Sequence, residues 1–121
     1  MTVLTDGRHT AEHIASEANG TRSREVVTLI AGQNLPAGAV LGKITASGKY
    51  TAVAPAANDG SEVAAAVLFD NVNATAADKP AVISARDTEV KAVALTWPGG
   101  LSGPNKTTAL GQLAALGIVA R

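Results

Sequence analysis

Turn-forming residues interrupt this chain at short intervals, and that spacing limits most of it to strands rather than helices. The breaks are Gly32-Gln33-Asn34, Leu35-Pro36-Ala37-Gly38, Ser47-Gly48, Asn58-Asp59-Gly60, Arg86-Asp87 and Trp97-Pro98-Gly99-Gly100. Between them lie short apolar or alternating runs. Val26-Val27-Thr28-Leu29-Ile30 is rich in β-branched residues and reads as a strand. Residues 39–45 and 49–54 read as two strands of a hairpin, the first carrying Gly42 as a bend. Residues 62–69 form a nearly continuous apolar run. Its alanines favour helix and its short length with Val and Phe favours a buried strand, so periodicity leaves both open. Residues 70–80 read as a polar loop, and residues 81–85 and 89–95 as two further strands.

One helix is expected near the end. Asn105 follows Pro104 and reads as its N-cap, and residues 106–116 place Ala109, Leu110, Leu113 and Ala114 on one face. Gly117 ends it, leaving Ile118-Val119-Ala120-Arg121 as a last apolar strand. Residues 1–24 differ from all of this. They are polar, contain Gly7 and Asn19-Gly20, and show neither sustained alternation nor a helical stripe. They read as an N-terminal arm, ordered weakly or only on contact with a partner, with a frayed terminus of no role as the alternative. The expected organisation is thus an arm over residues 1–24 and one mainly β, compact, tulip- or barrel-like domain over residues 25–121 with a short C-terminal helix.

Composition narrows the function. Aromatics are 2% of the chain, with Tyr50, Phe69 and Trp97 the single members of their kinds, so an alanine-rich core must gain its stability from many small contacts. Self-association would add to them. Ten basic and ten acidic residues are interspersed and cancel, without the basic stripe that binding to nucleic acid requires. No apolar run approaches the roughly 20 residues of a membrane-spanning helix, and the polar start lacks the apolar centre of a signal peptide, which points to cytoplasmic synthesis. There is no cysteine, so packing and hydrogen bonds must hold the fold.

The sharpest chemical string is His9-Thr10-Ala11-Glu12-His13, an H-x-x-E-H pattern that on a helix can hold zinc with the glutamate as general base. It sits in a polar terminal segment, without a third ligand or enough surrounding chain to build a cleft, and reads as a chance match. Three N-x-T triplets, beginning at Asn19, Asn73 and Asn105, read as chance matches too. Residues 38–43 resemble half a phosphate loop, but Ile44 stands where Ser or Thr would bind magnesium, so they read as strand. Catalytic residues, cofactors and metals are therefore not expected. Trp97, Leu110, Leu113 and Ala114 read as core anchors rather than a docking surface.

Several of these segments, in this order, resemble the lambda-type head decoration proteins (decoration protein D family) of tailed bacteriophages. They are Ser16-Glu17-Ala18-Asn19-Gly20-Thr21-Arg22-Ser23-Arg24-Glu25, Leu35-Pro36-Ala37-Gly38-Ala39-Val40-Leu41-Gly42-Lys43 and Asp59-Gly60-Ser61-Glu62-Val63-Ala64-Ala65, leading to Val67-Leu68. Ala85-Arg86 with Glu89-Val90, Leu95-Thr96-Trp97-Pro98 and Leu116-Gly117-Ile118-Val119 complete the series. The resemblance implies a non-enzymatic virion protein that forms a homotrimer on the outer surface of the expanded phage head. It implies the major capsid protein as partner, contacted through the arm, and it assigns Ile14, Ser16, Glu17, Ala18, Asn19, Thr21 and Arg22 to that contact. Compared with the lambda protein, this arm is longer and more polar. Two other readings use the same residues: a small β-barrel binding or assembly module of another kind, built around Leu35-Pro36-Ala37-Gly38, and a zinc hydrolase using His9, Glu12 and His13.

Overall fold

A computed structural model of the chain describes residues 11, 13–17, 23–99 and 101–121. Among the described residues, ten short strands, a 3₁₀ turn and one helix are formed. The strands are β1 (Ile14–Glu17), β2 (Arg24–Leu29), β3 (Gln33–Leu35), β4 (Val40–Lys43), β5 (Tyr50–Ala52), β6 (Ala64–Leu68), β7 (Val72–Ala74), β8 (Lys79–Ser84), β9 (Thr88–Val90) and β10 (Ile118–Ala120). The 3₁₀ turn spans Ala92–Ala94 and α1 spans Gly103–Ala115. The fold is mainly β, as expected.

Five strands close a barrel in the order β2-β5-β4-β6-β8. β4 and β5 form the hairpin read from the sequence, with Lys43 opposite Tyr50. β2 runs antiparallel to β8 over six residue pairs, from Arg24 opposite Ser84 to Leu29 opposite Lys79. The run at residues 62–69 resolves as strand: Val40 faces Val67 and Leu41 faces Ala66, after which Gly42 faces Ala64 and Ala65 is the extra residue of a bulge.

Strand alternation gives the barrel wall two apolar faces. Leu41, Ala66 and Leu68 point inward and join Leu29, Tyr50, Ala81 and Ile83 in one core. Val40, Ala64 and Val67 point outward into a second core shared with Val53, Leu95, Ala109, Leu113 and Ile118. β4 and β6 are therefore buried on both sides. Each fully buried Leu or Ile contributes roughly 1.5–3 kcal/mol, and the two-sided wall compensates for the scarcity of aromatics. Trp97 packs half-buried against the second core, as a core anchor should.

Two glycines permit close approaches. A Cβ on Gly42 would stand 2.3 Å from the Ser61 carbonyl oxygen. Gly38 has φ +89° and its Cβ position lies 2.6 Å from the Ala94 carbonyl oxygen, so turn conformation and packing both call for glycine there.

Several sequence expectations need correction. The α1 N-cap is Ser102, not Asn105: the Ser102 hydroxyl accepts from the Asn105 amide, and Pro104 sits in the first turn, where its missing N–H is harmless. Ala114 is exposed, because the buried row of α1 centres on Ala109 and Leu113. Gln33–Leu35, read as part of a break, is β3 and pairs with β7, which lies in the stretch read as loop. The strand expected over residues 89–95 ends at Val90 and gives way to the 3₁₀ turn. Finally, Ile14–Glu17 of the expected arm forms β1, and β2 begins at Arg24. Residues 1–10, 12 and 18–22 of that segment lie outside the described residues.

Candidate functional site

The candidate interface residues that the structure describes lie on β1, at the edge of a three-stranded sheet of order β1-β9-β10. Ile14 faces Val90, Ser16 faces Glu89 and Glu17 faces Thr88, with a register shift between Ile14 and Ser16. β10 runs parallel to β9 on its other side. One backbone edge of β1 is thus bonded to β9 and the other is, among the described residues, the sheet's margin, the kind of edge to which a further strand can add.

The approach to β1 is pinned by backbone bonds. The Ala11 amide donates to the Phe69 carbonyl at 2.8 Å, and the Ala11 carbonyl accepts from the Ile14 amide at 3.0 Å. The Lys91 amide donates to the His13 carbonyl at 2.7 Å. The His13 ring is buried, 1% exposed, with Nε2 3.4 Å from the Ser84 hydroxyl. This histidine of the H-x-x-E-H string therefore packs into the domain, while His9 and Glu12 lie outside the described residues. Among the described residues, no group of three or more His, Asp or Glu side chains is placed to hold a metal ion.

Side chains secure the C-terminal half of the strand. Ser16 donates to Glu89 at 3.0 Å, and the other Glu89 oxygen accepts from Arg121 Nε at 2.8 Å, so one carboxylate of β9 ties β1 to the residue that follows β10. The Arg121 hydrogen bond, helped by that of Ser16, holds the Glu89 carboxyl below the ordinary carboxylate range. Next to it, Glu17 accepts from Ser23 Oγ at 2.9 Å and Arg24 Nε at 3.2 Å, and makes a second bond to the Arg24 guanidinium. The Arg24 hydrogen bond is the main cause that lowers the Glu17 pKa, working against partial burial. The same guanidinium stands 4.2 Å above the Phe69 ring centroid, a cation–π contact.

Of the seven residues assigned to the arm contact, Ile14, Ser16 and Glu17 come together on β1, with Ile14 and Glu17 half-buried and Ser16 exposed. Ala18, Asn19, Thr21 and Arg22 lie outside the described residues. Sequence reasoning missed the supports: Glu89, Ser23, Arg24 and Phe69. Only the opposite charges of Glu17 and Arg24 on either side of Asn19-Gly20 hinted at a closed loop.

Exposed apolar side chains elsewhere on the domain are Val26, Val63, Val93, Leu116 and Val119. Val26 is 72% exposed and lies directly opposite Val82 on the outer face of the barrel. With Arg24 and Glu25 these two line a shallow groove.

No curated protein matches the sequence. The family described as bacteriophage lambda head decoration protein D matches residues 3–118, nearly the whole chain. A match of this length, on a chain whose described residues form a mainly β fold with a C-terminal helix as the sequence led one to expect, makes this protein a member of the phage lambda head decoration protein D family.

Proposed function

We propose that this chain acts as a cement for a tailed-phage head, binding the outside of the expanded shell as a homotrimer and securing it against the pressure of packaged DNA. The observation that carries the reading is the family match, which begins at residue 3 and so takes in the N-terminal segment as well as the domain. The major capsid protein is the partner, contacted through that segment and the β1 margin. Main-chain pairing at a sheet edge supplies affinity without demanding a particular sequence.

Ordering a segment on docking opposes binding, so one copy binds weakly. Three tethered copies raise the effective concentration and multiply affinity by about a hundredfold or more. A protein that binds only the expanded lattice stabilises that lattice by mass action. No bond is made or broken, so the role needs no catalytic residue. Zero net charge suits a surface turned away from DNA.

Co-sedimentation with emptied phage heads tests the reading. Full-length protein should pellet with expanded heads and stay in solution with unexpanded ones, and analytical sedimentation should give three times the monomer mass. Failure to bind expanded heads, or a monomer at tens of micromolar, overturns it.

A further inference from the structure

We infer that Asp59–Gly60 is a latent isomerisation site, where aspartate can turn into isoaspartate, and that Ser61 and Glu62 hold it in the unreacted form. Asp-Gly is prone to this change because glycine has no side chain to shield its amide nitrogen. In the reaction the Gly60 nitrogen gives up its proton and attacks Cγ of the Asp59 side chain in its acid form. A C–N bond forms, the C–OH bond breaks, and proton and hydroxyl leave together as water. The product is a five-membered succinimide. A second water opens the ring at either carbonyl, which restores aspartate or routes the main chain through the side-chain carboxyl as isoaspartate. No reagent other than water takes part, and Asp59 is exposed to it.

Both reacting groups are held by the residues that follow them. The Gly60 amide donates to the Glu62 carboxylate at 2.8 Å. To react, it must leave that bond and lose its proton beside a negative charge, which disfavours an amide anion. On the other side, Asp59 Oδ1 accepts from the Ser61 amide at 3.0 Å and from the Ser61 hydroxyl at 2.5 Å. Hydrogen bonds of this kind favour the carboxylate over the acid, and only the acid carries a hydroxyl that can leave. They hold the Asp59 carboxyl below its ordinary range. The main chain on either side of the bond is fixed as well: the Thr45 amide donates to the Asp59 carbonyl and the Ala54 amide to the Ser61 carbonyl, each at 2.9 Å. Gly60 has φ +105°, and a Cβ there would collide with Thr45 Oγ1 and the Lys43 carbonyl oxygen, so the turn cannot escape the hazard by taking a bulkier residue. Isoaspartate would lengthen the main chain by one carbon between the Thr45 and Ala54 bonds, and would shift the Ser61 carbonyl that packs on Gly42 of β4.

Slow incubation of full-length protein at neutral pH tests this, with isoaspartate at position 59 measured by enzymatic methyl transfer to its free carboxyl and located by peptide fragmentation. The folded chain should gain it about tenfold more slowly than the same chain unfolded in guanidinium. Folded Ser61→Ala and Glu62→Ala should each gain it about threefold faster or more than the unaltered protein. Ser102→Ala, which removes a helix cap and touches neither residue, should match the unaltered rate. Equal rates in folded and unfolded chains overturn the inference, as does an unchanged rate in either turn variant. A slower rate in Glu62→Ala also overturns it, since Glu62 would then be the base that takes the amide proton. Equal acceleration in Ser102→Ala would assign the protection to global folding alone and overturns it too. Ser61 is buried and Glu62 only half-buried, so the second variant keeps the test open if the first fails to fold. All arms use free protein, so their failure is distinct from a failure to bind heads.

Discussion

Glu17 and Arg24 join the last residue of β1 to the first residue of β2 through two hydrogen bonds between carboxylate and guanidinium. The pair closes a loop whose two ends belong to different sheets, and Ser23 adds a third donor to the same carboxylate. β1 is short and, among the described residues, pairs on one side only, so this clasp and the buried His13 ring account for much of its hold on the domain.

The clasp carries a pH signature. Because Arg24 lowers the folded-state pKa of Glu17, the stability it adds is complete above the ordinary glutamate value, about 4.3, and is lost as pH falls through the lowered folded value. Glu17→Gln should cost about 0.5–1 kcal/mol at neutral pH and flatten the decline of Tm in acid. Thermal melts between about pH 6 and 3 read the effect directly; parallel curves for the two proteins would show that the pair adds nothing.

Gly42→Ala tests the contact between β4 and the Ser61 backbone. The added methyl would meet a carbonyl oxygen at 2.3 Å, with main chain rather than a movable side chain on the far side. A loss of about 2–3 kcal/mol is expected. Gly111→Ala is the opposite case, since this helical glycine has open space around its Cβ position. It should gain about 0.5–1 kcal/mol. Urea denaturation of the two variants should displace the midpoint in opposite directions.

Leu113 carries the helix onto the barrel. It is 1% exposed in the second core, and Leu113→Ala should remove about 2–5 kcal/mol. Ser102→Ala removes only an N-cap and should cost about 1 kcal/mol. Helical circular dichroism measured alongside urea unfolding would separate a frayed first turn from a loosened core.

Truncation distinguishes the two parts of the leading segment. Removing residues 1–10 leaves β1, the His13 packing and the Glu17–Arg24 clasp in place, and should shift Tm by no more than a few degrees. Removing residues 1–24 deletes β1 and the start of β2 and should destabilise the domain far more. Equal melting temperatures for the two would mean that β1 contributes no stability.

Much of this architecture was legible in the residues because local chemistry decided it. Val26 to Leu29, the β4–β5 hairpin, the positive-φ turn at Gly38 and the stop at Gly117 each follow from side chains within a few positions. What escaped notice depends on distant partners. Gln33–Leu35 is polar and short, and becomes a strand because Val72–Ala74 lies beside it. Ile14–Glu17 has no alternation of its own, and is a strand because β9 offers it an edge. The helix start failed for a local reason: Ser102 and Asn105 both suit an N-cap, and Pro104 fits the first turn only if the cap is Ser102. The site was legible as a region, but its anchoring carboxylate Glu89, 73 positions from Ser16, was not.

The sheet of β1, β9 and β10 draws together segments from both extremes of the chain, and the barrel likewise closes by joining β2 to β8. Neither can form from neighbours in sequence alone, so collapse must find distant partners before any strand gains its full complement of bonds. Folding should accordingly take milliseconds to seconds rather than microseconds, and during synthesis β1 must wait without its partner until the chain has grown past Val90.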